Sequence, residues 1–120
     1  MDITLGTIET KFADMIWAEE PVSSSRLAHL SEEAFGWKKT TTYTVLSRLC
    51  KKGLFQNENG TVTSLVSGEA FHSEQSKQFV EDSFGGSLPA FLAAFMNGKK
   101  MTEKEAAEIE DMIRRYREGK

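Results

Sequence analysis

Apolar side chains recur at helical spacing in three short segments of the first half of the chain. These segments are approximately residues 6–18, 24–33 and 39–52. Spacings of three and four residues place the apolar side chains on one face of a helix, so each segment predicts an amphipathic helix. Pro21, Gly36 and Gly53 follow the segments in turn, and residues of these types commonly end helices. The first half of the chain therefore predicts three short helices.

A β-hairpin is predicted after the third helix. Leu54 and Phe55 begin an extended segment, and the Asn59-Gly60 pair that follows is typical of a two-residue turn between strands. Three short helices before a two-stranded hairpin predict a winged helix-turn-helix domain over residues 1–68. The alternative is a three-helix bundle with a hairpin that binds no ligand.

The second half of the chain has a purely helical pattern. Two helices are predicted over about residues 69–84 and 88–96. Thr102 and Glu105 have the T-x-x-E spacing of a capping box, which predicts the start of a last helix. The predicted fold class is therefore mostly α with a small β-wing, in which a winged helix-turn-helix domain is followed by a helical dimerisation domain over residues 69–120.

Dimerisation is expected because this helical segment is too short to bury a core of its own. Its helices nevertheless carry apolar faces, and exposed faces of this kind promote association. Two copies packed together would cover them, which predicts a homodimer. The residues expected in the dimer interface are Phe71, Phe79, Phe84, Leu88, Phe91, Leu92, Phe95, Met96, Ile109, Met112, Ile113 and Tyr116. In the alternative, the helical segment packs against the N-terminal domain of the same chain.

The charge of the chain is unevenly distributed. Its net charge of −3 argues at first against nucleic-acid binding, because DNA-binding domains are usually basic. Residues 37–53, however, carry +5 and no acidic residue, while the rest of the chain carries −8. The positive charge is therefore concentrated on the third predicted helix.

This third helix has a polar face suited to DNA. Its apolar stripe consists of Thr42, Val45, Leu46 and Leu49. Hydroxyl groups and cations are left on the opposite side. Hydroxyl side chains can bond base edges, and lysines at the helix ends can neutralise phosphates. The candidate DNA contacts are Lys38, Lys39, Thr40, Thr41, Tyr43, Thr44, Ser47, Arg48, Lys51 and Lys52, with Ser24, Ser25 and Arg26 at the start of the second helix and Thr61 in the hairpin.

Two other interpretations of the same face stay open. It can be an ordinary solvated surface, or it can belong to a winged-helix module that binds an acidic protein partner. Contact between the hairpin and DNA is also open, because Glu58 near its turn would repel a phosphate.

The segment from Trp37 to Gly53 reads W-x-x-T-T-x-x-T-V-L-x-R-L-x-x-K-G. This motif resembles that of the bacterial penicillinase repressor family, which has copper-responsive repressors as relatives. The resemblance implies a dimeric winged-helix repressor that binds double-stranded DNA at a palindromic operator. It also implies that Thr41, Thr44 and Arg48 read the operator and that Lys51 and Lys52 contact phosphates.

Two departures from the family pattern concern induction. Resistance repressors of the family are inactivated by proteolysis at an Asn-Phe bond, whereas this sequence has Ala94-Phe95 in the corresponding segment. The copper-responsive relatives carry cysteine pairs near the C-terminus, and the end of this sequence has no cysteine. The inducing signal, whether a sensor protease or a small effector, is therefore left open.

Other function classes lack support in the sequence. The sequence has no glycine-rich phosphate motif and no catalytic constellation, so an enzyme is not expected. The single cysteine, Cys50, excludes an intrachain disulfide, and no metal or cofactor is expected. The chain has no apolar run long enough to span a membrane and no signal-peptide pattern at its start, so we expect a cytoplasmic protein.

Overall fold

Within residues 3–119, the part of the chain that the computed structural model describes, six helices and three short strands follow one another. Their order is α1 (Thr7–Glu19), β1 (Val22–Ser23), α2 (Ser24–Phe35), α3 (Lys39–Lys51), β2 (Phe55–Glu58), β3 (Thr61–Ser64), α4 (Gly68–Phe84), α5 (Leu88–Met96) and α6 (Glu103–Arg117). The predicted fold class, mostly α with a small β-wing, is confirmed. The chain divides into two compact units, of which the first ends at Ser76 and the second begins at Lys77.

The helix ends lie where the local sequence places them. Ser23 caps α2, because its Oγ accepts a hydrogen bond from the Arg26 backbone N–H at 3.0 Å. Gly36 and Gly53 follow α2 and α3 with φ values of 69° and 86°. This left-handed conformation is favourable for glycine, which explains why these helices end there.

The wing is formed by β2, β3 and the turn between them, and β1 adds to it a third strand that the sequence did not predict. The strand order is β1-β3-β2, all antiparallel, with Val22 opposite Val62 and Phe55 opposite Ser64. The sequence analysis did not predict β1, because a strand of two residues is too short to show an alternation of apolar and polar side chains. At the predicted turn, the Gly60 N–H donates to Asn57 Oδ1 at 3.0 Å.

The core of the first unit lies between its helices and the wing. Its fully buried large side chains include Phe12, Ile16, Leu27, Leu49, Leu54, Phe55, Val62 and Phe71. Trp17 packs against Phe55 and Phe71, with ring centroids 5.2 and 5.4 Å away, and its Nε1 donates to the Val66 carbonyl at 2.9 Å. A β-carbon on Gly68 would lie 3.1 Å from the Trp17 ring, so glycine allows α4 to begin close to this indole.

Phe71 is only 1% exposed and belongs to this core. Its burial corrects the sequence-based assignment of Phe71 to the dimer interface, because a side chain already covered by Trp17 is not available to a second copy. The first turns of α4 therefore contribute to the first unit.

The second unit contains the end of α4 with α5 and α6. The rings of Phe79 and Phe84 both contact Phe91, at centroid distances of 6.0 and 5.6 Å, and Phe95 lies 5.8 Å from Phe91. Thr102 and Glu105 form the predicted capping box at the start of α6. Neither α5 nor α6 has a buried residue.

Candidate nucleic-acid interface

Helix α3 has one buried face and one exposed face. Thr42, Val45, Leu46 and Leu49 are buried, as the apolar stripe predicted. The polar residues predicted to contact DNA lie on the other side: Thr40, Thr41, Thr44, Ser47, Arg48 and Lys51 are exposed and Tyr43 is half-buried. Lys38 and Lys39 are exposed at the start of the helix. The helix therefore presents hydroxyls and cations together on one surface.

Two adjoining hollows run along this exposed face. The first, here called the α3 groove, has a volume of about 430 Å³ and is lined by Tyr43, Thr44, Ser47, Arg48 and Lys51. The second, the wing hollow, has a volume of about 410 Å³ and is lined by Ser24, Tyr43, Leu46, Ser47, Cys50 and Asn57. Because Tyr43 and Ser47 line both, the start of α2, the outer face of α3 and the wing form one continuous surface.

Leu46 and Cys50 line the wing hollow although they were not among the predicted contacts. Cys50 is half-buried rather than fully buried, and burial raises the pKa of its thiol above the usual value. The protonated form is therefore favoured, and Cys50 contributes a small weakly polar surface to the hollow.

The charged side chains at the first turn of α3 interact unfavourably with the helix dipole. Lys38 is the N-terminal cap, Lys39 is the first helical residue, and the first turn has no acidic residue. Cations at a helix N-terminus are unfavourable because the unsatisfied N–H groups there already carry partial positive charge. An anion bound at this end would reverse the effect, since both the dipole and the lysines would then attract it.

The Thr44 hydroxyl makes a hydrogen bond within α3. Its Oγ1 donates to the Thr40 carbonyl at 2.9 Å, which leaves the oxygen lone pairs and the methyl group for an outside partner. Nearby, the Lys39 ammonium lies 5.7 Å from the centre of the Tyr43 ring. These contacts hold part of the exposed face in place.

The start of α2 has fewer available N–H groups than a helix end alone would offer. The Ser24 N–H donates to the Gly60 carbonyl at 2.8 Å, and the Arg26 N–H is taken by the Ser23 cap. Phosphate contacts predicted for Ser24, Ser25 and Arg26 would therefore depend mainly on their side chains, of which those of Ser25 and Arg26 are exposed.

Thr61 is exposed at the wing, opposite Ser23 on one side and Glu58 on the other. The Ser24–Gly60 hydrogen bond joins this end of the wing to α2. The acidic Glu58 is exposed beside Thr61, so the charge of the wing tip does not favour a phosphate. Contact between Thr61 and DNA stays a prediction.

Arg48 and Lys52 interact with an acidic residue that the sequence analysis did not identify. Glu9 Oε2 on α1 lies 3.5 Å from Arg48 Nη1 and 3.9 Å from Lys52 Nζ. Lys52 Nζ also donates to the Thr4 carbonyl at 3.1 Å. Lys52 is thereby directed towards α1, whereas Lys51 lines the α3 groove.

The Glu9 carboxylate also caps the N-terminus of α1. Its Oε1 accepts a hydrogen bond from the Gly6 N–H at 3.1 Å. This hydrogen bond is the main reason that the pKa of Glu9 lies below its usual value, and Lys52 and Arg48 lower it further. Glu9 is therefore ionised at neutral pH. No spacing or motif in the sequence indicated the contact of Glu9 with residues about 40 positions away.

Other kinds of site lack support in the described residues. In residues 3–119, no group of three or more His, Cys, Asp or Glu side chains is placed to hold a metal ion. The helices of this same range are too short or too polar for any of them to cross a membrane.

Comparison with known proteins gives two matches that span both units. The sequence model of the penicillinase repressor family matches residues 5–115. The methicillin resistance regulatory protein MecI of Staphylococcus aureus (strain Mu50 / ATCC 700699) is 20% identical over 113 residues, which cover 91% of this chain and 92% of MecI. The matched range includes the whole of the α3 surface.

Proposed function

The chain belongs to the penicillinase repressor family, a family of transcriptional repressors, and from this premise we propose that it binds a palindromic DNA operator as a homodimer and blocks transcription. The observation that carries the proposal is the exposed face of α3. It combines hydroxyl side chains with cations around one groove, and residues 37–53 contain no acid. This is the charge and hydrogen-bonding character that major-groove recognition requires.

We assign recognition of the DNA base sequence to the middle of the exposed face of α3. Thr41, Thr44 and Arg48 lie on successive turns of α3, and Thr44 and Arg48 line the α3 groove. Threonine can contact a thymine methyl or bond a base edge, and an arginine can bond both O6 and N7 of a guanine. In this assignment the three residues determine which operator is bound.

Phosphate binding is assigned to the ends of α3. Lys38 caps the N-terminus of α3, Lys39 is its first residue, and Lys51 lies at its last turn beside the α3 groove. A phosphate near the first turn would meet the positive end of the helix dipole and two ammonium groups together. This arrangement gives the two lysines a function in spite of their unfavourable position in the isolated helix.

Dimer formation is assigned to the second unit. Its exposed apolar side chains are Phe79, Leu88, Leu92, Phe95, Met101, Met112, Ile113 and Tyr116. The predicted interface residues Phe84, Phe91, Met96 and Ile109 are half-buried within one chain. So many exposed apolar groups on a short helical segment favour association with a second copy, and a two-fold symmetric dimer matches a palindromic site.

The proposal is tested by gel-shift titration of the full chain. Two duplexes are compared: one enriched by binding selection from a random pool, and one with its bases scrambled. We expect a salt-dependent complex with both and at least about a thousandfold preference for the selected duplex. Equal affinity for the two duplexes would contradict sequence-specific repression. No complex at low salt would instead favour a module that binds an acidic protein.

A further inference from the structure

The interaction between α1 and the end of α3 has a geometry that bears on DNA selectivity. Glu9 uses one carboxylate oxygen for the Gly6 N–H and presents the other to Arg48 and Lys52. Its capping bond limits the rotation of the carboxylate, so its negative charge stays beside these two cations. The Glu9 side chain is 21% exposed, against 54% for Arg48, so the acid is the more enclosed partner.

A carboxylate in this position acts differently on specific and non-specific binding. Non-specific binding depends on the number of phosphates that cations neutralise, and an anion beside two cations lowers their attraction for phosphate. A guanidinium, by contrast, has five N–H donors. The contact of Arg48 Nη1 with Glu9 occupies one side of the group and leaves other donors for a base edge in the α3 groove.

We propose that Glu9 is a positioning residue for DNA selectivity, which restrains Arg48 and Lys52 from binding phosphates indiscriminately while it holds Arg48 at the edge of the α3 groove. The proposal rests on the DNA-binding function proposed above. It assigns Lys52 to the contact with α1, through Glu9 and the Thr4 carbonyl, and leaves Lys51 as the phosphate contact at this end of the helix.

The test variant is Glu9→Gln in the full chain. Glutamine at this position can still accept a hydrogen bond from the Gly6 N–H, so the cap of α1 is retained while the charge is removed. We expect affinity for the scrambled duplex to rise about two- to fivefold, the range that corresponds to losing one exposed ion pair. The slope of log affinity against log salt for that duplex should steepen by up to about one, because Lys52 is released to reach a phosphate.

Affinity for the selected duplex should change less, or fall, because Arg48 loses its restraint. The ratio between the two duplexes, which measures selectivity, should therefore decrease. A double-mutant cycle with Lys52→Gln measures the part of the effect that passes through this cation. In the Lys52→Gln background, Glu9→Gln should steepen the salt slope less than it does in the wild type.

Glu19→Gln is the matched control, since Glu19 is an exposed residue of the same helix and the change in net charge is identical. If Glu9→Gln and Glu19→Gln raise affinity for the scrambled duplex equally, the effect is one of net charge and the proposal is overturned. An unchanged salt slope in Glu9→Gln would also overturn it. If the wild-type protein binds neither duplex, the proposed DNA-binding function is contradicted, and this result is distinct from the failure of the proposal for Glu9.

Discussion

Thr42 illustrates how single positions of α3 serve the core rather than the DNA surface. It lies between exposed threonines in the sequence, yet its side chain is fully buried. Its hydroxyl has no hydrogen-bond partner within the described residues. A buried hydroxyl without a partner costs free energy, because it has exchanged water for an apolar environment with no compensating bond. The neighbouring Thr44, by contrast, is exposed and bonded to the Thr40 carbonyl.

The first prediction concerns this buried hydroxyl. Thr42→Val should raise the free energy of unfolding by about 1 kcal/mol, because valine has a similar shape and no polar group to bury. Urea denaturation followed by circular dichroism measures the change. Thr44→Val is the matched control and should give no gain, since its hydroxyl is exposed and bonded. A loss of stability in Thr42→Val would show that the hydroxyl has a partner in solution.

The second prediction separates the roles of Arg48 and Lys51, which both line the α3 groove. Arg48→Ala should lower affinity for the selected duplex by about 1–3 kcal/mol, because a lost base contact reduces discrimination. Lys51→Ala should weaken the selected and scrambled duplexes alike and reduce the salt slope by about one. Gel-shift titrations at several salt concentrations measure both. Equal weakening of the two duplexes by Arg48→Ala would contradict a base-reading role.

At the scale of elements, the wing is held by contacts with the segment around the end of α1. The Glu20 carboxylate accepts hydrogen bonds from the Ser64 backbone N–H at 2.8 Å and from the Ser64 Oγ at 2.9 Å. Trp17 reaches the Val66 carbonyl just beyond β3. Because β1 also pairs with β3, the wing is anchored on the side facing α1 as well as by its own hairpin.

The third prediction tests this anchor. Glu20→Ala removes a charged acceptor of two hydrogen bonds and should lower the free energy of unfolding by about 2 kcal/mol. Thermal unfolding and hydrogen exchange at Ser64 report the loss, the second of them locally. Glu19→Ala, on the exposed neighbour, should change stability by less than about 0.5 kcal/mol. Similar losses in both variants would mean that the Ser64 contacts contribute nothing specific.

At the scale of the whole molecule, the two units bury apolar groups to very different degrees. Among residues 3–119, the fully buried large side chains all belong to the first unit, whereas α5 and α6 hold no buried residue. Apolar residues left exposed on one chain are available to a second one. This difference and the small size of the second unit support the proposal that it associates with a second copy.

The fourth prediction follows from this difference. The wild-type chain should sediment as a dimer at micromolar concentration. Ile113→Glu on α6 should weaken the dimer at least about tenfold, because it places a charge without a partner in the proposed interface. Sedimentation equilibrium measures the dissociation constant. Leu65→Glu, also a change at an exposed apolar residue but in the first unit, should leave association unchanged. A monomeric wild type would contradict the proposed homodimer.

The sequence by itself determined the features that depend on residues close together in the chain. Helix periods, the Thr102–Glu105 capping box, the Asn59-Gly60 turn and the concentration of positive charge on α3 are all local, because caps, turns and amphipathic faces involve residues at most a few positions apart. The resemblance of the α3 motif to the penicillinase repressor family was visible at the same level, and the family match over residues 5–115 confirms it.

Only the tertiary structure decided which distant groups meet. It paired β1 with β3, placed Phe71 in the first core beside Trp17, and brought Glu9 to Arg48 across 39 positions of the chain. None of these contacts has a sequence period or spacing that announces it, because each arises when packed elements bring together segments whose local patterns are independent. The candidate DNA surface was thus predictable as a set of residues, while the acid that restrains part of it was not.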